Sequence, residues 1–298
     1  GVLLSYLGGR YRTDLVRCPQ WPPFAWNICA AALYLVALSL WTTTWLLVQR
    51  QCQGGASPRM HSVLWAGALV HVVASLGPPS LSDDPLFYAA LGRAGAEYGA
   101  DPYAPLCQSL PPGDAWLAIL PWHWRCGTSA YAPGFHLIAR AFATIAGRDL
   151  ALQLRLHQAG AAAALLGAAA FTGQSMRASS RAEGGAADAA AAQGAAFVVL
   201  NPLAIVEGAG NGHNDAYLAL CAAAFVWAYV SRRSWALWGA LLAGVTIKAS
   251  ALLLAGMYAL AQCVRALRGS AVLRRAVGAL LALSGIGLAA ALLLPLNG

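Results

Sequence analysis

The chain has 298 residues, of which 59% are hydrophobic and only 10% charged, with a mean hydropathy of +0.58; globular domains average about 25% charged. So little charge on so long a chain excludes a soluble multidomain protein and predicts an all-α, polytopic integral membrane protein. The net charge of +8 does not point to nucleic acid, because the basic residues are scattered in twos and threes between apolar runs rather than gathered on one segment.

Residues 1–9 lack a charged start and a cleavage site, so no signal peptide is expected. The start without Met and the end just after an apolar run suggest a chain trimmed at both ends. Apolar runs suited to spanning a bilayer cover 28–48, 61–77, 150–172, 192–208, 214–230, 235–263 and 272–295. The Arg-rich connections 49–60, 173–191, "SRRS" and 264–275 are placed in the cytoplasm. Parity then puts 78–130 outside as a large extracytoplasmic loop with short helices, and "EGAGNGHND" (207–215) outside as well. The run 235–263 begins and ends inside, which predicts a helical hairpin or re-entrant pair turning near Lys248, with Lys248 towards the outer half.

Residues 131–146 look helical and apolar, yet a full crossing there would break the parity, so an interfacial or re-entrant helix is predicted. The first 27 residues fall outside despite Arg10, Arg12 and Arg17. Asp83, Asp84, Glu97, Asp101, Asp114, Glu207 and Asp215 then face outside, and only Glu183 and Asp188 face in. Acidic residues contribute little to topology, so this asymmetry suggests a polar active face.

Three places concentrate chemistry. In "SLSDDPLFYAALGRAGAEYGADPY" (80–103), "GPPSLS" breaks the preceding helix and leaves Asp83 and Asp84 at the mouth of the bundle. A carboxylate there either caps a helix starting at Pro85, as Ser82 or Asp83 would, or accepts a proton from a sugar hydroxyl. The aromatic residues of "YGADPYAPL" and "LPWHWRCGTSAYAP" fit a membrane-interface belt or the apolar faces of sugars equally well. In "NPLAIVEGAGNGHNDAYLAL", Glu207, Asn211, His213, Asn214 and Asp215 crowd the joint between two apolar runs, where desolvating them without a purpose is costly. Lys248 is the single lysine among nineteen cationic residues and sits in the apolar "LLAGVTIKASALLLAG". It either snorkels to the interface or pairs with an anion such as a lipid phosphate, helped by Arg93 or Arg155.

The seven cysteines show no metal-ligand or redox spacing. Cys29, Cys221 and Cys263 are expected to be packed in helices. Cys107 and Cys126 share one loop and would pair if it faces an oxidising compartment.

Taken in order, "SDDPLFY", "GADPY", "SAYAPGF", "NPLAIVEGAGNGHND" and "TIKASALLL" resemble the polyprenol-phosphate-mannose-dependent (alpha-1,6-)mannosyltransferases of actinobacterial type in the GT-C superfamily. The resemblance covers nearly the whole chain, although Ala132 stands where the family usually has Gly. Its larger members continue with further spans, so a fragment is expected.

It implies one GT-C-like helical domain over 1–298 in the bacterial plasma membrane, with its active site outside. It also implies inverting transfer of a hexose, mannose by preference, from a polyprenyl phosphate to a glycan or glycolipid acceptor. Asp84 is the implied base, with Asp83 as the neighbour that would cap or substitute. The expected substrate-binding residues are Tyr88, Arg93, Tyr103, Tyr131, Arg155, Glu207, His213, Asn214, Asp215 and Lys248. No metal ligand and no cofactor is assigned, and a divalent cation stays open. The rivals are a transporter or flippase for a lipid-linked sugar, for which internal repeats are expected and none is evident, and a non-catalytic assembly partner.

Overall fold

In the computed structural model, residues 24–51, 58–79, 82–180 and 184–269 are described. The topology assigned to the N-terminal segment, to Glu183 and to the run 272–295 falls wholly or largely outside them. The chain divides into two compact units, Gly1–Ala251 and Leu252–Gly298. Every described element is helical.

The first unit runs α1 (Phe24–Gln51), α2 (Met60–Leu76), α3 (Asp84–Glu97), three short helices α4 (Leu106–Ser109), α5 (Ala115–Ile119) and α6 (Trp122–Arg125), then α7 (Pro133–Ala146), α8 (Leu150–Ser179) and α9 (Gly185–Val199). A π-helical segment (Ala204–Gly210), α10 (Asp215–Val230), α11 (Ser234–Ile247) and a 3₁₀ turn (Ala249–Ala251) complete it; the second unit contributes α12 (Leu252–Gly269).

Local chemistry sets most boundaries. Pro85 and Pro133 open α3 and α7, where a missing N–H costs nothing. Asp114 and Asp149 cap α5 and α8, accepting from the Trp116 and Leu152 amides at 2.9 Å each.

The helix α8 is the hub, packed against α2, α7, α9 and α10. Its buried alanines serve two neighbours: Ala169 packs with Ala192, Ala195 and Ala196 of α9, and Ala161 and Ala164 pack with Ala216 of α10. Short side chains at such a contact let the two backbones approach closely. The same device joins α3 to α7, since a Cβ on Gly92 would overlap the Ala139 carbonyl oxygen. Gly92→Ala is therefore expected to cost about 1–3 kcal/mol, read as a lower unfolding midpoint in the purified protein.

The expected span 192–208 is not one helix. α9 stops at Val199, and the chain resumes after Asn201 at a bend of 61°. The cause is the "NP" pair: Pro202 cannot continue the helix before it. Asn201 Oδ1 then accepts from the Leu203 and Ala204 amides to start the next turn. The run 235–263 is also divided, and here the break falls at Lys248 as expected, in extended backbone after α11.

Among the described residues no single helix is long and apolar enough to cross a membrane, and one bent pair, Gly185–Val199 with Ala204–Gly210, passes that test jointly. Residues 133–146 form α7, which buries Phe135, Ala139 and Ala143 while Leu137 and Ile145 stay exposed. Cys107 and Cys126 are disulfide-bonded, with Cα atoms 4.9 Å apart, tying α4 to the residue after α6. Cys221 is buried in α10, whereas Cys263 on α12 is exposed rather than packed.

Candidate active site

Asp84 is the first residue of α3. Its amide donates to Ser82 Oγ at 3.2 Å, while Asp83 occupies the N-cap position through its backbone, its carbonyl accepting from the Leu86 and Phe87 amides. The Asp83 side chain makes no capping bond. The cap expected of Asp83 is thus supplied by Ser82, because Asp83 takes an α-helical φ/ψ that turns its exposed carboxylate away from the free amides.

Around Asp84 the fold assembles residues from distant parts of the chain. The fully buried Tyr88, one turn further along α3, has its hydroxyl 3.3 Å from both Asp84 Oδ2 and Asn214 Oδ1, to either of which it donates. Burial pushes the Tyr88 hydroxyl far above its ordinary pKa, so it stays neutral and remains a donor. Tyr131 stands edge-on to the Tyr88 ring at 5.3 Å, and burial raises its pKa too.

His213 lies between two carboxylates, with Nδ1 3.6 Å from Asp84 Oδ2 and Nε2 3.4 Å from Glu207 Oε2. Asn211 Nδ2 donates to the same Glu207 oxygen at 3.2 Å. Asp215, at the start of α10, holds Lys248 Nζ at 2.7 Å. An open cleft of about 420 Å³ adjoins this cluster. Glu207, His213 and Asp215 line its polar side, and Leu165, Leu203 and Ala219 contribute apolar wall.

Sequence reasoning missed the brace behind these groups. Gln158 Nε2 on α8 donates to the Gly77 carbonyl at 2.9 Å and to the Gly210 carbonyl at 2.6 Å, linking the segment that leads into Asp84 with the one that leads into His213. Gly212 adopts φ +73°, and a Cβ there would press on the His157 and Gln158 backbone, so only glycine suits that approach. The Gln153 side chain donates to the Ala89 carbonyl and accepts from Trp116 Nε1, steadying α3. The available signal was the polar density of "QLRLHQ" (153–158) inside a run otherwise read as a span.

Two cations expected beside Lys248 are committed elsewhere. Arg93 is buried; its Nε meets Asp114 Oδ2 at 3.0 Å, its Nη1 pairs with Glu97, and its guanidinium stacks over Trp116. It also stands nine residues beyond Asp84, about 13 Å along the helix axis. Arg155 spends its guanidinium on the Ser75 and Gly77 carbonyls at the C-terminal end of α2, which favours a cation. Tyr103 is exposed, its ring edge-on to His136 at 5.3 Å. Among the described residues no three His, Cys, Asp or Glu side chains are grouped to hold a metal ion.

Comparison with known proteins decides the family. Residues 12–265 match the MptA_B family, described as alpha-(1->6)-mannopyranosyltransferase, N-terminal domain. The chain belongs to this family. No curated protein and no solved structure matches it. The activity of the MptA_B family is mannosyl transfer, which requires a sugar donor and a glycan acceptor. In this member of the MptA_B family, a carboxylate with a neutral hydroxyl donor beside it and a cation at the edge of a cleft are groups suited to such a transfer.

Proposed function

We propose that the chain is an integral membrane mannosyltransferase with a GT-C-like helical bundle. It transfers mannose from a polyprenyl phosphate to a glycan or glycolipid on the extracytoplasmic face of the bacterial cell membrane, with inversion. The observation that carries this is the cleft with Glu207, His213 and Asp215 on one side and apolar walls beside them, next to Asp84 and Lys248. That arrangement suits an amphiphile with a polar head and an apolar chain.

Asp84 acts as general base on the acceptor hydroxyl while that oxygen attacks the anomeric carbon. The bond to phosphate oxygen breaks with its electron pair, and the phosphate leaves without needing a proton. A base on the acceptor and a departing phosphate opposite it give inversion. Lys248 offsets the charge on the phosphate, displacing its resting contact with Asp215.

Membrane placement is supported by the exposed stripe Trp65, Leu69, Val73 and Leu76 on α2, which is the spacing of one helical face. The Cys107–Cys126 bond supports an oxidising side for residues 78–130.

The test is transfer of labelled mannose in proteoliposomes supplied with polyprenyl-phosphate mannose, followed by anomer analysis of the product. Activity with a water-soluble nucleotide sugar but not with the lipid-linked donor would overturn the donor assignment, and movement of intact donor without bond cleavage would favour a flippase. Lys248→Met is expected to raise the donor KM about tenfold or more, with a smaller change in the acceptor KM, because a charge-assisted phosphate contact contributes about 1.5–3 kcal/mol. Equal effects on both substrates would argue against a phosphate contact.

A further inference from the structure

We propose that His213 and Glu207 form a proton relay that resets Asp84 after each transfer; this rests on the reading of Asp84 as the base. The imidazole spans the two carboxylates, with Nδ1 towards Asp84 at 3.6 Å and Nε2 towards Glu207 at 3.4 Å. Both separations lie within ion-pair reach and a little beyond an ordinary hydrogen bond, and catalytic hydrogen bonds commonly tighten in the Michaelis complex. Among the described residues, the hydrogen bond and ion contact made by the Asp84 carboxylate both fall on Oδ2, which leaves Oδ1 for the acceptor hydroxyl.

The need for a relay follows from the chemistry. The hydroxyl oxygen forms its bond to the anomeric carbon, the phosphate departs with the bonding pair and takes no proton, and the hydroxyl proton is left on Asp84. With donor and acceptor in place the base is covered, so that proton needs another exit. A half-turn of the protonated carboxyl about Cβ–Cγ brings its O–H to the imidazole; His213 accepts the proton at Nδ1 and releases the Nε2 proton to Glu207, and tautomer exchange with water restores the ring. The Asp84, His213 and Glu207 side chains are 29%, 18% and 39% exposed, so the acceptor at the end of the relay is the most open of the three, facing the cleft and water.

The local backbone holds this line together. Glu207 sits in a π-helical segment, an uncommon geometry that recurs at functional sites. The His213 amide donates to the Glu207 carbonyl at 3.2 Å, and Asn211 orients the Glu207 carboxylate. Gln158 ties the Gly210 carbonyl to Gly77, so the two ends of the relay are held from one helix. The groups facing the imidazole are Asp84 and Tyr88 from α3 and Glu207 from the π segment, with the Asp215–Lys248 pair on the same wall of the cleft.

The experiment uses the whole protein in proteoliposomes. His213→Gln is expected to lower kcat about 100-fold, the low end of the range for assisted proton transfer, with a much smaller change in either KM. Glu207→Gln is expected to lower kcat in the same way. Imidazole added to His213→Gly should restore a large part of kcat, a rescue that a structural or sugar-contacting role would not show. A loss carried by KM without imidazole rescue, or full activity in His213→Gln, overturns the relay even where Asp84→Asn is inactive. An active Asp84→Asn overturns both the relay and the base on which it rests.

Discussion

Asp84→Asn should lower mannosyl transfer by about 100- to 10,000-fold, the contribution of a positioned base, while the protein stays folded. Asparagine has nearly the same shape and still accepts from Tyr88, whose hydroxyl lies 3.3 Å from Asp84 Oδ2, but it cannot take a proton from an acceptor. Removing the charge also forfeits a favourable interaction with the start of α3, worth about 0.3–1 kcal/mol, which a folded domain withstands. The control is Asp83→Asn. Its exposed carboxylate makes no capping bond, so turnover and unfolding midpoint should both stay near wild type. Turnover retained in Asp84→Asn, or lost in Asp83→Asn, would reassign the base.

Arg93→Ala should damage the fold rather than donor binding. The guanidinium is buried against Asp114, pairs with Glu97 and stacks 4.2 Å above the Trp116 ring. Tyr98 joins by donating to Asp114 Oδ2 at 3.1 Å. Deleting the cation leaves the Asp114 carboxylate, 3% exposed, without its counter-charge, and breaking such a pair costs about 3–5 kcal/mol. The expected result is a clearly lower unfolding midpoint, with the segment from α4 to α6 opening first to proteolysis. Arg93→Lys, which keeps the charge but not the fork or the flat stacking surface, should fall between. If Arg93 instead bound the donor phosphate, Arg93→Lys would fold normally and raise the donor KM.

Arg93 shows where sequence reasoning stops. Its type and its place in the loop that follows Asp84 fitted a phosphate ligand, and the local signal against it, Glu97 four residues on, accounts for only part of its pairing. Its partner Asp114 lies 21 residues away, after a loop whose path depends on the disulfide and on Trp116 reaching Gln153. The partners of Arg155 were equally out of sight, since the carbonyls it binds are about 80 residues distant. Gln158 was passed over because a lone amide in an apolar run has no signature until the two carbonyls it joins are known.

What the sequence determined by itself was short-range. Composition and the apolar runs called for helices, proline marked the start of α3, the order of the "SDDP", "GHND" and "TIK" blocks pointed to the mannosyltransferase family, and the placing of arginines pointed to a turn near Lys248. The tertiary structure decided which polar groups meet. His213 reaches Asp84 across 129 positions, Lys248 pairs with Asp215 across 33, and the 61° bend after α9 sets Glu207 beside the cleft. The reason is that buried polar groups must find partners, and which partner lies within reach depends on how closely the alanine- and glycine-lined helices pack.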